Sequence, residues 1–273
     1  MTHEGKVIIG ELAEEYGYID AGECLTVGDP NEIWHFEIMP PGPLGKGAIW
    51  AAVRIPEGHV GVSANRSRIG KIDPNDPENY MFSENVFSVA EQNGWWDPKS
   101  GEEMMALLDI PNERNIAIPR CSYHTILQAR GWLPNSVGTV CWFGLNNPDT
   151  SIYVPISAGV TSLPADYAIN DRTKFEFDNR ESAWWAFNLV DNIVNRRYQD
   201  AIKDLRAVRD PLEEEQFAMQ PAIEKVATEL HSKDPDLAAK FLTNYTASRC
   251  RKAVETFWKL AETLIVKYDE KTF

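Results

Sequence analysis

Several features are scarce in this chain, and each scarcity excludes something. Its 273 residues include only four cysteines, Cys24, Cys121, Cys141 and Cys250, with no CxxC spacing among them. Such a scatter is not a disulfide framework and not a cysteine zinc site. The five histidines are equally dispersed, with no HxH or HExxH arrangement, so sequence motifs point to no metal and no cofactor. Apolar runs are short. None approaches the roughly 20 residues that span a bilayer, and residues 1–10 are too polar for a secretory signal. The chain is therefore expected to be cytoplasmic and away from membranes. Positive charge is the minority sign: 27 Lys and Arg against 41 Asp and Glu leave a net charge of −14. That balance disfavours a nucleic-acid surface and suits a soluble one. Internal repeats and low-complexity segments are also missing.

What is present is a succession of strands followed by helices. Residues 6–16 carry Val7, Ile8, Leu12 and Glu15 near the spacing of one helix face, and Gly17 stops the pattern. Glu32 to Ile38 alternates, with Trp34, Phe36 and Ile38 on one face and Ile33, His35 and Glu37 on the other. Ala48 to Ile55 is expected to be the next strand, Pro56-Glu57-Gly58 a turn, and Val60 to Ala64 a returning strand. Ser83 is expected to cap a short helix that Asn93-Gly94 ends. A helical turn near Met104 to Leu108 and strands at Ile116–Ile118 and Tyr123–Leu127 follow. Val137–Phe143 and Ser151–Ile156 form a hairpin around Asn146-Asn147-Pro148-Asp149, and Gly159–Leu163 adds a short strand.

From Ser182 the period changes to three and four. Trp184, Phe187, Val190, Val194, Tyr198, Ile202 and Leu205 predict one long amphipathic helix. Asp210-Pro211 and Asp234-Pro235 each read as a helix start. Val254 to Tyr268 reads as the last helix. Strands first and helices last suggest an α+β chain. Residues 1–181 would form an antiparallel sheet core with flanking helices, and residues 182–273 helices packed on it. The nine tryptophans include two adjacent pairs, Trp95-Trp96 and Trp184-Trp185, whose members should reach different environments.

The densest polar cluster is Ser63, Asn65, Arg66, Ser67 and Arg68. Asn65 can donate its amide to a developing oxyanion, or it can simply shape a turn. Arg68 can hold a carboxylate through its guanidinium fork, or brace a loop. Cys121 and His124 lie three apart on an expected strand, face opposite ways, and should not act together.

Two blocks carry a resemblance to a known family. One is YGY…GE…DPNE.W.FEI followed by G.IWAAVRIP.G.V…AN.SRI. The other runs from IPRCSYHTILQARGWLP to TSIYVPISAGVTSLP. With the tail SAWWAFNLVDNIVNRRY they resemble the dipeptidases of peptidase family C69, which are N-terminal-nucleophile hydrolases. The resemblance implies a layered αββα sandwich, a small dipeptide substrate, and a cysteine nucleophile at the mature N-terminus whose own α-amine is the base. It also implies Asn65 as a catalytic oxyanion donor and Arg68, Glu23 and Arg120 as substrate-binding residues. Relative to that pattern, the chain reads as truncated at its front and shortened between GWWDP and RCSY. Two outcomes stay open: a dipeptidase lacking its nucleophile segment, or a non-catalytic fragment or subunit that binds another chain. An unpaired sheet edge would favour such association.

Overall fold

The computed structural model describes residues 2–42, 45–100, 116–118, 121–169 and 180–268, with backbone alone for 2–7. It is an α+β chain with antiparallel sheets, divided into two compact units, Met1–Ile116 and Ala117–Phe273.

The first unit is a four-stranded sheet between two helical layers. Helix α1 spans Thr2–Tyr16. The strands are β1 (Glu23–Gly28), β2 (Ile33–Met39), β3 (Ile49–Arg54) and β4 (Tyr80–Phe82), in the order β1-β2-β3-β4, and α2 spans Val86–Gln92. The alternation in β2 holds: Trp34, Phe36 and Ile38 join Trp50 and Ala52 in one core, against which Ile9 and Ala13 of α1 pack. Full burial of a side chain the size of Phe36 contributes roughly 2–3 kcal/mol. On the opposite face Met39, Ile49 and Ala51 meet Val86, Val89 and Ala90 of α2, with Ile69 and Ile72 from the intervening loop.

Helix α1 buries a face one residue away from the expected one. Ile8 and Leu12 are exposed, because Gly10 lets the indole of Trp50 lie against the helix backbone. A Cβ at position 10 would meet that ring at 2.2 Å, and the Trp50 Nε1 donates to Glu14 Oε1 at 2.7 Å. Gly17 ends α1 as expected, in a left-handed conformation with its amide on Ala13 O at 2.8 Å.

Val60–Ala64 forms no strand. The free edge of β3 is taken by β4, in the register Ala51↔Phe82 and Val53↔Tyr80, so residues 60–64 pair with no strand and Val60 and Val62 stay exposed. Ser83 does not cap α2 either. Its hydroxyl accepts the amide of Trp50 at 3.2 Å, and Asn85 occupies the cap position. Asn93-Gly94 ends the helix as expected. Trp95 is half-exposed while Trp96 packs on Phe87, so this pair does reach two environments. The turn expected at Met104–Leu108 lies outside the described residues.

The second unit pairs a three-stranded antiparallel sheet, β5 (Tyr123–Gln128), β6 (Val140–Leu145) and β7 (Val154–Ser157), with long helices. The short helices α3 (Asn135–Gly138) and α4 (Ala165–Ala168) flank the strands, and α5 (Ala183–Arg196), α6 (Tyr198–His231) and α7 (Pro235–Tyr268) follow. Ile152 and Val154 share a core with Phe187, Val190, Leu205, Phe257 and Leu264. Two expected strands are not formed: 116–118 is bent, and 159–163 is irregular.

The long amphipathic stripe is interrupted at Arg197, whose φ of −138° and ψ of 50° separate α5 from α6 without breaking the apolar period. Asp210-Pro211 does not start a helix. The carboxylate of Asp210 is taken by Arg209, and α6 continues through both Pro211 and Pro221 while its buried stripe runs on to Gln216, Gln220 and Ala227. Asp234 does cap α7, accepting the amides of Asp236 at 3.0 Å and Leu237 at 3.2 Å.

The hairpin loop 146–150 is held from below by Asp191 of α5, only 4% exposed. Its Oδ1 accepts the hydroxyl of Thr150 and the side-chain amide of Asn147. Asn146 sits at φ +68° and accepts the Asn147 amide at 2.8 Å. Among the described residues no helix is long and apolar enough to cross a membrane.

Candidate functional site

The polar face of β2 supplies the site. Residues two apart on a strand point the same way, so His35 and Glu37 emerge together. The register places Cys24 of β1 directly opposite Glu37, and Ala51 of β3 on its other side. The three groups Cys24 Sγ, a ring nitrogen of His35 and a carboxylate oxygen of Glu37 lie within 4.8 Å of one another.

The loop between β3 and β4 closes over this face, and its hydrogen bonds converge on Glu37. Ser67 Oγ donates to Oε2 at 2.6 Å, and the Ile69 amide donates to Oε1 at 3.1 Å. The Arg68 amide donates to the same oxygen, and the His35 Nε2 hydrogen-bonds it at 2.8 Å. Burial of Glu37, only 3% exposed, pushes its carboxyl upward, yet the bonds from His35, Ser67, Arg68 and Ile69 outweigh burial and hold it below the usual range. The carboxylate is thus a charged anchor for the loop.

Cys24 behaves in the opposite sense. Burial pushes its thiol up to about 11, the charge of Glu37 adds to that, and a Ser63 hydrogen bond and the Arg68 charge act against it. Burial also raises Cys121, takes Cys141 to about 11 and takes Cys250 to about 12. A thiol that holds its proton at neutral pH is a poor nucleophile. Cys121 and His124 are engaged separately, the sulfur with Tyr123 O at 3.0 Å and the imidazole with Asn146 O at 3.0 Å. The two do not act as a thiol–imidazole pair.

The residues singled out from sequence are distributed unevenly around this centre. Asn65 is not at a strand end. It is exposed, in a bend, with φ +53°, a conformation that Asn tolerates better than most residues. Arg68 is exposed in the same loop, with its backbone fixed to Glu37 and its charge felt at Cys24. Glu23 pairs with Ile38 across the sheet and so shares the α1 face, away from Glu37, with its Oε1 on the Cys24 amide at 3.0 Å. Arg120 lies outside the described residues. Glu37 and His35 belong to no sequence motif, and their signal is two ionisable groups on one face of an otherwise apolar strand.

The sequence model of Peptidase family C69 matches residues 2–106 and 96–210, most of the chain and both units. The chain belongs to peptidase family C69. Among similar proteins, a probable dipeptidase of Salmonella dublin is 40% identical over 103 residues, 37% of this chain and 22% of that protein. A probable dipeptidase of Latilactobacillus sakei is 37% identical over 92 residues, 34% of this C69 chain and 18% of its own. A probable dipeptidase B of Streptococcus pyogenes serotype M1 is 32% identical over 91 residues, 33% of this chain and 17% of its own. The match thus spans about a fifth of the length of these C69 relatives.

Proposed function

We propose that this chain takes part in dipeptide hydrolysis as the portion that binds the substrate and polarises its carbonyl. Asn65 donates to the carbonyl oxygen as it becomes an oxyanion, and Arg68 holds the substrate carboxylate. The observation that carries this reading is the anchoring of the 63–69 loop on buried Glu37: a loop fixed through two backbone amides can present side chains in a set geometry. Family membership and the names of the relatives support the substrate class.

None of the four cysteines is assigned as nucleophile. The thiols of Cys24, Cys121, Cys141 and Cys250 are all raised, and a thiol that keeps its proton is a poor nucleophile. Residues 1–273 on their own should therefore hold dipeptides without cleaving them. The αββα sandwich implied by the family belongs to the same proposal, and an experimental structure tests it.

Calorimetric titration of residues 1–273 with a dipeptide panel, run beside an amine-release assay, is the experiment. Binding without turnover is expected. Arg68→Ala should weaken binding about tenfold through loss of a charge-assisted pair, and Asn65→Ala should weaken it less. Binding indifferent to both substitutions would refute the site. Hydrolysis lost in Cys24→Ala would show an internal thiol nucleophile and overturn the division of labour.

A further inference from the structure

We propose that Cys24, His35 and Glu37 form a binding site for a divalent cation of the zinc class, set into the sheet beneath the 63–69 loop. The sequence carries no metal motif because the ligands come from two strands. His35 and Glu37 share a face of β2, and the antiparallel register brings Cys24 opposite Glu37. Their sulfur, nitrogen and oxygen atoms lie within 4.8 Å of one another, close enough to converge on one ion after small side-chain shifts. Tetrahedral zinc sites are built from this donor set. Magnesium and calcium prefer oxygen alone, so sulfur beside imidazole selects zinc or its cobalt surrogate. Three protein ligands leave a fourth position for water.

The surroundings suit that use. His35 is 8% exposed and Glu37 3%, so these two ligands are held by packing, while Cys24 is partly buried. The carboxylate is already oriented by the Ser67 hydroxyl and by the amides of Arg68 and Ile69, the kind of outer hydrogen bonding that fixes a metal-bound carboxylate. An ion would neutralise the anionic pair that forms when Cys24 ionises beside Glu37. The thiol proton leaves to solvent as the metal–sulfur bond forms, so at least one proton is released per ion bound. The ion would tie Cys24 of β1 to Glu37 of β2, the residue that anchors the loop carrying Asn65 and Arg68. This assignment does not depend on the dipeptide reading.

The test is titration of reduced, metal-free residues 1–273 with Co²⁺, followed by Zn²⁺. One equivalent of Co²⁺ should bind, with a thiolate-to-cobalt charge-transfer absorption in the near ultraviolet that Zn²⁺ abolishes. Cys24→Ser should remove that absorption and weaken binding at least tenfold, while Cys121→Ser leaves both unchanged. His35→Gln should weaken binding similarly, and far-ultraviolet circular dichroism of each metal-free variant controls for folding. Failure of the unsubstituted chain to bind Co²⁺ stoichiometrically overturns the proposal without recourse to any variant. So does a charge-transfer absorption that survives Cys24→Ser.

Discussion

Two buried carboxylates in this chain do the same mechanical job in different ways. Glu37, 3% exposed on a strand, and Asp191, 4% exposed on a helix, each hold a loop. Asp191 takes its hydrogen bonds from the side chains of Thr150 and Asn147, neutral groups that do not titrate. Glu37 takes two of its bonds from backbone amides, and its neighbours are a thiol and an imidazole. An anchor that grips backbone holds a loop through atoms every residue carries, here with the Ser67 hydroxyl as its one side-chain bond from the loop. One that grips side chains uses them up.

The most severe way to strain that comparison is to delete both anchors. Glu37→Ala strands the amides of Arg68 and Ile69 and should cost on the order of 3 kcal/mol. Asp191→Ala leaves groups that can rotate toward other partners, and about 1–2 kcal/mol is expected. Urea denaturation of the full chain measures both, and equal losses would erase the distinction.

Acid provides a milder perturbation. Glu37 has a lowered folded pKa, so its contribution is fully present above the ordinary glutamate value near 4.3 and is lost as pH falls through the folded value. Exchange protection of the Arg68 and Ile69 amides, corrected for intrinsic rates, should fall in that acid window. In Glu37→Gln the protection should be lower at neutral pH and show no such step. A step that persists in Glu37→Gln would assign the titration to another group.

Ser67→Ala is the finest probe. It removes one hydroxyl from Glu37 Oε2 and leaves both amides in place, so about 1 kcal/mol is expected with Arg68 and Ile69 protection retained. Loss of that protection would mean the hydroxyl, and not the backbone, sets the loop.

Much of the first unit was legible because its signals were local. Trp34, Phe36 and Ile38 announced the buried face of β2 by alternation, and Gly17 announced the end of α1. The pattern misleads where a competing partner decides. Val60–Ala64 has strand character, but β4 had already claimed the edge of β3. Ser83 looks like a cap, but Trp50 engages its hydroxyl. Asp210-Pro211 looks like a helix start, but Arg209 occupies the carboxylate and the stripe along α6 continues past the proline. At the site, Asn65 and Arg68 were visible as a polar cluster. The residue that anchors their loop was not, since the bonds to Glu37 span some thirty positions and leave no spacing to read.

The β1–β2 pairing also protects its own fidelity. The two strands are joined by a tight turn at Asp29–Glu32, where Asp29 Oδ1 accepts the amides of Asn31 and Glu32 at 2.8 and 3.1 Å. A one-residue slip at that turn would rotate Cys24 away from His35 and Glu37. The same slip would carry Leu25 and Val27 out of the α1 core and onto the polar face. A mis-registered chain could therefore not lose the polar cluster quietly. It would expose apolar surface at the same moment, and the folding equilibrium would discard it before any chemistry at the cluster was at stake.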